Sequence, residues 1–174
     1  METTRNQLPP YSVYFFNKLG NYLDTKLYYF GSVQRRDYFP ESSDVDVAIF
    51  TDNVSGMLTK MQNLLNVNKK DFKKFVWKLN SSNIMANGYK MMYKEPEHNF
   101  VAEFSIYDEK FKDKILFEYH DKQELPYYAT VLLIIAKYLY YSFAIIPGYW
   151  YTAMKKFILS YLIGKKEDHF VIID

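Results

Sequence analysis

Gly31-Ser32 and Asp44-Val45-Asp46 are the residues of this chain whose types and spacing best suit chemistry. The apolar run from Leu27 to Phe30 ends at Gly31-Ser32, a polar stretch fills residues 33 to 43, and a second apolar run opens with Asp44-Val45-Asp46. Side chains alternate between the faces of a strand, so Asp44 and Asp46 are expected to point the same way, with Val45 opposite. Two carboxylates on one face repel each other. A hard divalent cation that also binds phosphate oxygens resolves that conflict. Glycine lets backbone approach a phosphate closely, and successive N–H groups form a concavity for anions. Ser32 adds a short hydroxyl donor beside it.

This arrangement resembles the nucleotidyltransferase superfamily, which includes DNA polymerase β and the minimal nucleotidyltransferases. The family signature is apolar-Gly-Ser, a spacer, then Asp-apolar-Asp/Glu-apolar. Residues 27 to 50 match it closely and residues 10 to 107 loosely. The resemblance implies a third carboxylate from a later strand, and Glu103 suits that place. It lies in the stretch from Phe100 to Tyr107, where Ala102, Phe104 and Ile106 share one face and Glu103, Ser105 and Tyr107 the other. By resemblance, Asp44, Asp46 and Glu103 are the catalytic residues and hold two Mg²⁺ or Mn²⁺ ions, with Glu103 also serving as proton acceptor. An NTP is then bound by Gly31, Ser32, Arg35 and Arg36. Arg35 stands at the family's arginine position, and Arg36 stands where many members carry glycine. Guanidinium forks match phosphate oxygens well. Two of the three arginines in the chain lie in this loop.

Composition narrows the alternatives. With 174 residues, 49% of them hydrophobic, the chain can bury one real core. A net charge of +2 is too mild to imply nucleic-acid binding by itself. The absence of cysteine excludes disulfides, zinc–thiolate sites and thiol chemistry. His98, His120 and His169 lack ligand spacing and read as structural or surface residues. Residues 1 to 10 are polar without an apolar signal core, so an intracellular, cytoplasmic, soluble protein is expected.

The elements that must position these residues follow from periodicity. After Pro9-Pro10, the spacing of Val13, Phe16, Leu19 and Leu23 predicts a helix. Lys26–Phe30 and Asp44–Phe50 read as strands, and a polar Thr51-Asp52-Asn53 cluster caps a helix over 54–65. Residues 69 to 80 fit either a helix face or strand alternation, with strand favoured because it extends the sheet beside the acids. Tyr89–Lys94 and Phe100–Tyr107 form a hairpin that delivers Glu103. Should residues 33 to 38 begin a helix, its positive end would support the same anion.

After Leu125-Pro126 the chain turns strongly apolar. One long helix is expected over 127–146 and a second over 149–163, the latter with an apolar face of Trp150, Ala153, Met154, Phe157 and Tyr161. Membrane insertion of the first is not expected. Lys137 lies mid-span and would cost roughly 2.5–3.5 kcal/mol there, and its tyrosines are not gathered at the ends.

The reading is therefore an α+β fold, a nucleotidyltransferase-like mixed sheet flanked by helices. A catalytic core over 1–120 carries a C-terminal helical region over 121–174. The function this implies is metal-dependent transfer of NMP from an NTP to an acceptor hydroxyl on nucleic acid, protein or a small molecule, with pyrophosphate release. The competing reading is a catalytically inactive module of the same fold that binds a nucleotide or a protein. The C-terminal helices could also seat a second copy or a partner chain.

Overall fold

The computed structural model describes residues 1–40, 42–164 and 169–173. Its centre is a six-stranded mixed sheet. The strands are β1 (Tyr28–Phe30), β2 (Val45–Thr51), β3 (Lys73–Lys78), β4 (Met85–Glu95), β5 (Phe100–Asp108) and β6 (His169–Ile173). Their spatial order is β1-β2-β5-β4-β3-β6. Only β2 and β5 run parallel.

One face of the sheet is covered by α1 (Pro10–Leu23) and α2 (Val54–Leu65). Val45, Val47 and Ile49 of β2 point into this layer, beside Phe104 and Ile106 of β5. A proline at its start favours α1, because its missing N–H is not needed in the first turn. The buried stripe of α1 is Phe15, Phe16, Leu19 and Leu23, while Val13 faces solvent. Phe16, Leu19 and Leu23 of the expected face are buried, and Phe15 takes the place expected for Val13. Phe15 fills more of the core by packing against Tyr93 and Phe100. Asn53 caps α2 by accepting a hydrogen bond from the Gly56 N–H at 2.9 Å.

Residues 73 to 78 form a strand, as favoured, with Phe75 and Trp77 buried on one side. These two join Ala48, Phe50 and Tyr107 in a second core on the opposite face, under α3 (Lys112–Asp121).

The C-terminal region departs from expectation in three ways. The single helix over 127–146 is shorter: α4 spans Tyr127–Lys137, passes into a wide turn at Tyr138–Ser142, and gives way to Ala144 in a left-handed conformation. The next helix, α5 (Gly148–Lys156), likewise widens at Phe157–Leu162. Its expected apolar face is not the buried one, since Ile158 packs on Ala129 and Leu133 while Trp150, Phe157 and Tyr161 stay exposed. Finally, the chain ends as a strand, β6, that pairs with β3 at the sheet edge. Among the described residues, no helix is long and apolar enough to cross a membrane.

Lys137, which looked like an interruption of an apolar run, ties α4 to the loop before β2. Its ammonium donates to the Asp37 carbonyl at 2.5 Å and to Ser43 Oγ at 3.1 Å, with the Asp37 carboxylate 3.4 Å away. Arg35 grips the same carboxylate with two bonds, at 2.8 and 3.1 Å. Burial alone would push the Asp37 carboxyl up, but its bonds to Arg35 and the charges of Arg35 and Lys137 hold it below the usual carboxylate range. Removing one partner of a buried pair leaves a charge uncompensated. Lys137→Met should therefore lower stability by on the order of 3 kcal/mol, read by urea unfolding at neutral pH. An unchanged midpoint would mean the tether carries no weight.

Candidate active site

The sheet register brings two of the three acids together. Asp46 and Glu103 are direct partners across the parallel β2–β5 pair, where neighbouring strands run about 4.8 Å apart. Both belong to the sheet face opposite α1 and α2, as the burial of Val45 and Val47 on the α1 side requires. Asp44 sits one residue before β2 begins, so its position depends on the loop as well as on the strand. The three charges reach one another: burial first, then Asp44 and Glu103, push the Asp46 carboxyl up to about 8.

Lysines answer part of this negative charge. Lys90 of β4 makes a 2.7 Å ion pair with Glu103, and the charges of Lys155 and Lys90 oppose the rise at Asp46. Among the described residues, no three histidine, aspartate or glutamate side chains already form a closed cation site. The carboxylates nonetheless suit a hard cation. All their ligand atoms are oxygens, and a dication would offset the burial and the repulsion that together hold a proton on Asp46.

Gly31 stands against this cluster. Phe30 is the register partner of Asp46, and the next residue turns away with φ of +68° into the short turn Gly31–Gln34. A Cβ on Gly31 would lie 1.8 Å from Asp46 Oδ2. Glycine is thus required twice, for the left-handed backbone and for the close approach to the carboxylate. Ser32 is buried, and its Oγ has no hydrogen-bond partner among the described residues. A buried hydroxyl without a partner is costly unless a ligand supplies one. Beneath the cluster lies an aromatic floor, with Phe30 stacked on Tyr119 at 3.8 Å and the Tyr119 and Tyr107 hydroxyls 2.8 Å apart.

The two loop arginines lie differently from the expectation. Arg35 is engaged by Asp37, and Arg36 is exposed. Both line a cavity that includes neither Gly31 nor any of the three acids. The helix considered for residues 33 to 38 does not form, because the turn ends at Gln34 and Arg35 is extended. Sequence reasoning gave no site role to Lys155, Asp37 or Lys137. Lys90 reaches Glu103 through the observed register, in which Glu95 pairs with Phe100 and Lys90 lies opposite Ser105, one residue from the register the expected hairpin would set.

A cavity of about 720 Å³ opens beside Glu103. Lys70, Lys73, Lys90, Met92, Phe170 and Ile172 contribute to its walls. The Lys90 ammonium lies 5.0 Å from the centre of the Phe170 ring, so β6 closes a groove that begins at the third acid.

Sequence comparison agrees with this geometry. The family model for the nucleotidyltransferase domain matches residues 15–139, from α1 to just past α4 and across all three acids. The chain belongs to that family. No curated protein matches the sequence. Among solved structures, the crystal structure of Cid1 poly(U) polymerase is similar at 14% identity and a TM-score of 0.34, over 77% of this chain and 42% of that one. The chain thus spans less than half of that structure, and so loose a superposition carries no further argument.

Burial and neighbouring charge at Asp46 together make stability depend on pH. An unfolded aspartate titrates near 3.9, so between about pH 4 and pH 8 the folded chain keeps a proton that the unfolded chain has released. Stability in EDTA should fall as pH rises through that window, by at most about 1.4 kcal/mol per unit. Asp46→Asn should flatten the slope and raise stability at pH 8 by on the order of 1–3 kcal/mol. A slope that survives in the variant would place its origin elsewhere. Gly31→Ala should cost at least about 1–2 kcal/mol from the left-handed backbone alone, measured by the same unfolding curves.

Proposed function

We propose that the chain is a divalent-cation-dependent nucleotidyltransferase, moving a nucleoside monophosphate from an NTP to an acceptor hydroxyl with release of pyrophosphate. The observation that carries this reading is the position of Asp46. It is paired in register with Glu103 on one side and abuts Gly31 on the other, so a carboxylate cluster and a phosphate-sized turn share one wall.

In this reading Asp44, Asp46 and Glu103 hold two Mg²⁺ or Mn²⁺ ions. Bound there, such ions lower the pKa of an acceptor hydroxyl and neutralise charge on departing pyrophosphate. The chain's own residues do the rest. The N–H groups of the Gly31–Gln34 turn and the unpartnered Ser32 hydroxyl face the triphosphate. Lys155, whose charge is felt at Asp46, adds positive field from the C-terminal helices. Glu103 receives the acceptor's proton once Lys90 gives up its hold on the carboxylate.

The groove beside Glu103 favours an acceptor of a particular chemistry. Lys70, Lys73 and Lys90 outnumber the two acids, Asp71 and Glu103, among its walls, and Phe170 offers a ring. Phosphates and a stackable base, as at a nucleic-acid 3′ end, suit such a groove.

Incubation with labelled NTPs and Mg²⁺ should transfer label to an RNA oligonucleotide with a free 3′ hydroxyl. Transfer should fall by roughly 100-fold or more in Asp44→Ala plus Asp46→Ala and in Glu103→Gln, beyond the 10–100-fold typical of outer-shell changes. Unchanged transfer in the double variant, with its fold intact, would overturn the assignment.

A further inference from the structure

All three arginines of the chain, Arg5, Arg35 and Arg36, line one cavity of about 470 Å³. The chain's other cationic side chains are lysines, apart from three histidines, so guanidinium groups are concentrated here and absent elsewhere. Arginine presents a planar fork of donors that matches phosphate oxygens, which an ammonium does not. From these arginines we infer that the cavity is a second anion site, separate from the acidic cleft, that binds a terminal phosphate or polyphosphate group.

The fold goes to some length to bring Arg5 there. Asn6 donates its side-chain N–H groups to the carbonyls of Val33, at 2.8 Å, and Arg35, at 2.6 Å. Gln34 donates to the Thr3 carbonyl at 2.7 Å and accepts from the Arg5 backbone N–H at 3.0 Å. These bonds stitch the N-terminal segment to the turn and set Arg5 beside the two loop arginines. Arg35 is balanced by Asp37, but the guanidinium groups of Arg5 and Arg36 make no ion pair with the described residues.

Two further observations point to a ligand. The side-chain amide nitrogen of Gln123, in the cavity wall, is buried and has no hydrogen-bond partner among the described residues. A buried donor without an acceptor is costly unless something fills the role. Tyr127 and Thr130, also in the wall, belong to the first turn of α4, whose N-terminus has no side-chain cap. Its free N–H groups and positive dipole end suit an anion. His120 adds a donor, and Glu124 is the only acid among the lining residues. The carboxylate limits the net charge, so a compact anion that several donors surround fits better than a long polyanion.

One chemistry could reach the cavity from three sources: free pyrophosphate, a nucleoside triphosphate, or the 5′-terminal phosphate of an oligonucleotide. Calorimetry on the full chain in EDTA, in the Asp46→Asn background, isolates the cavity from the acidic cleft. Pyrophosphate, ATP, and matched 5′-phosphorylated and 5′-hydroxyl RNA oligonucleotides serve as probes. At least one phosphate-terminated probe should bind, with affinity that weakens as salt rises. Arg5→Gln and Arg36→Gln, both at exposed positions, should each weaken binding roughly 10- to 100-fold. Gln123→Glu should weaken it too, by adding a negative charge to the cavity wall. The probe that binds best identifies the source. Failure of every probe to bind, or binding indifferent to all three substitutions, overturns the inference. So does binding seen only with a divalent ion and intact Asp46, which would assign the anion to the acidic cleft and leave the transferase reading standing.

Discussion

Mutual repulsion among Asp44, Asp46 and Glu103 is the constraint around which the working end of this molecule is arranged. Each acid is handled differently. Asp46, buried between the others, keeps a proton to near-neutral pH. Glu103 takes the ammonium of Lys90. Asp44 lies at the mouth of β2, where its charge reaches Tyr141 and Tyr151 of the C-terminal region. Without a dication, the chain balances the cluster with a proton and its own lysines. That is an expensive way to keep three carboxylates together, and it is the physical reason to expect a cation between them.

The rest of the fold supplies the placement. A parallel pair cannot be joined by a tight turn, and here α2, β3 and β4 form the connection between β2 and β5. The parallel pairing puts the beginning of β2 next to the beginning of β5, which is why Asp46 and Glu103 meet. Asp44 lies outside the strand and needs the loop before it held still. Lys137, Asp37, Arg35 and Ser43 do that from a buried position, so α4 belongs to the site although it carries none of the acids.

Much of this was legible in the residues. Asp44 and Asp46 stand in an apolar run, and strand alternation fixes the face of Asp46; the same rule gave Glu103 its face in β5. The cap at Asn53 also followed from local chemistry, whereas the strand over 73–78 was favoured over a helix only because it would extend the sheet beside the acids. What escaped was set by contacts distant in sequence. Asp37 and Lys137 are a hundred residues apart, and no local pattern links them. The buried face of α5 was misread because Trp150, Phe157 and Tyr161 make a convincing helical stripe, yet packing against α4 selects Ile158. Strand β6 went unread although Phe170-Val171-Ile172-Ile173 is an aromatic and β-branched run; its pairing with β3 is a contact distant in sequence. The convergence of Arg5 on the loop arginines required the bonds of Asn6 and Gln34, which only the folded chain displays.

On the proposed reading, divalent cations rather than lysines are the partners that Asp44, Asp46 and Glu103 are arranged to hold. Crystals soaked with Mn²⁺ and a non-hydrolysable NTP test it directly through anomalous scattering. Manganese peaks are expected in contact with Asp44 and Asp46, with the triphosphate against Gly31-Ser32 and Glu103 released from Lys90. Density for the nucleotide with no manganese at the acids, and Lys90 still bound to Glu103, would contradict it.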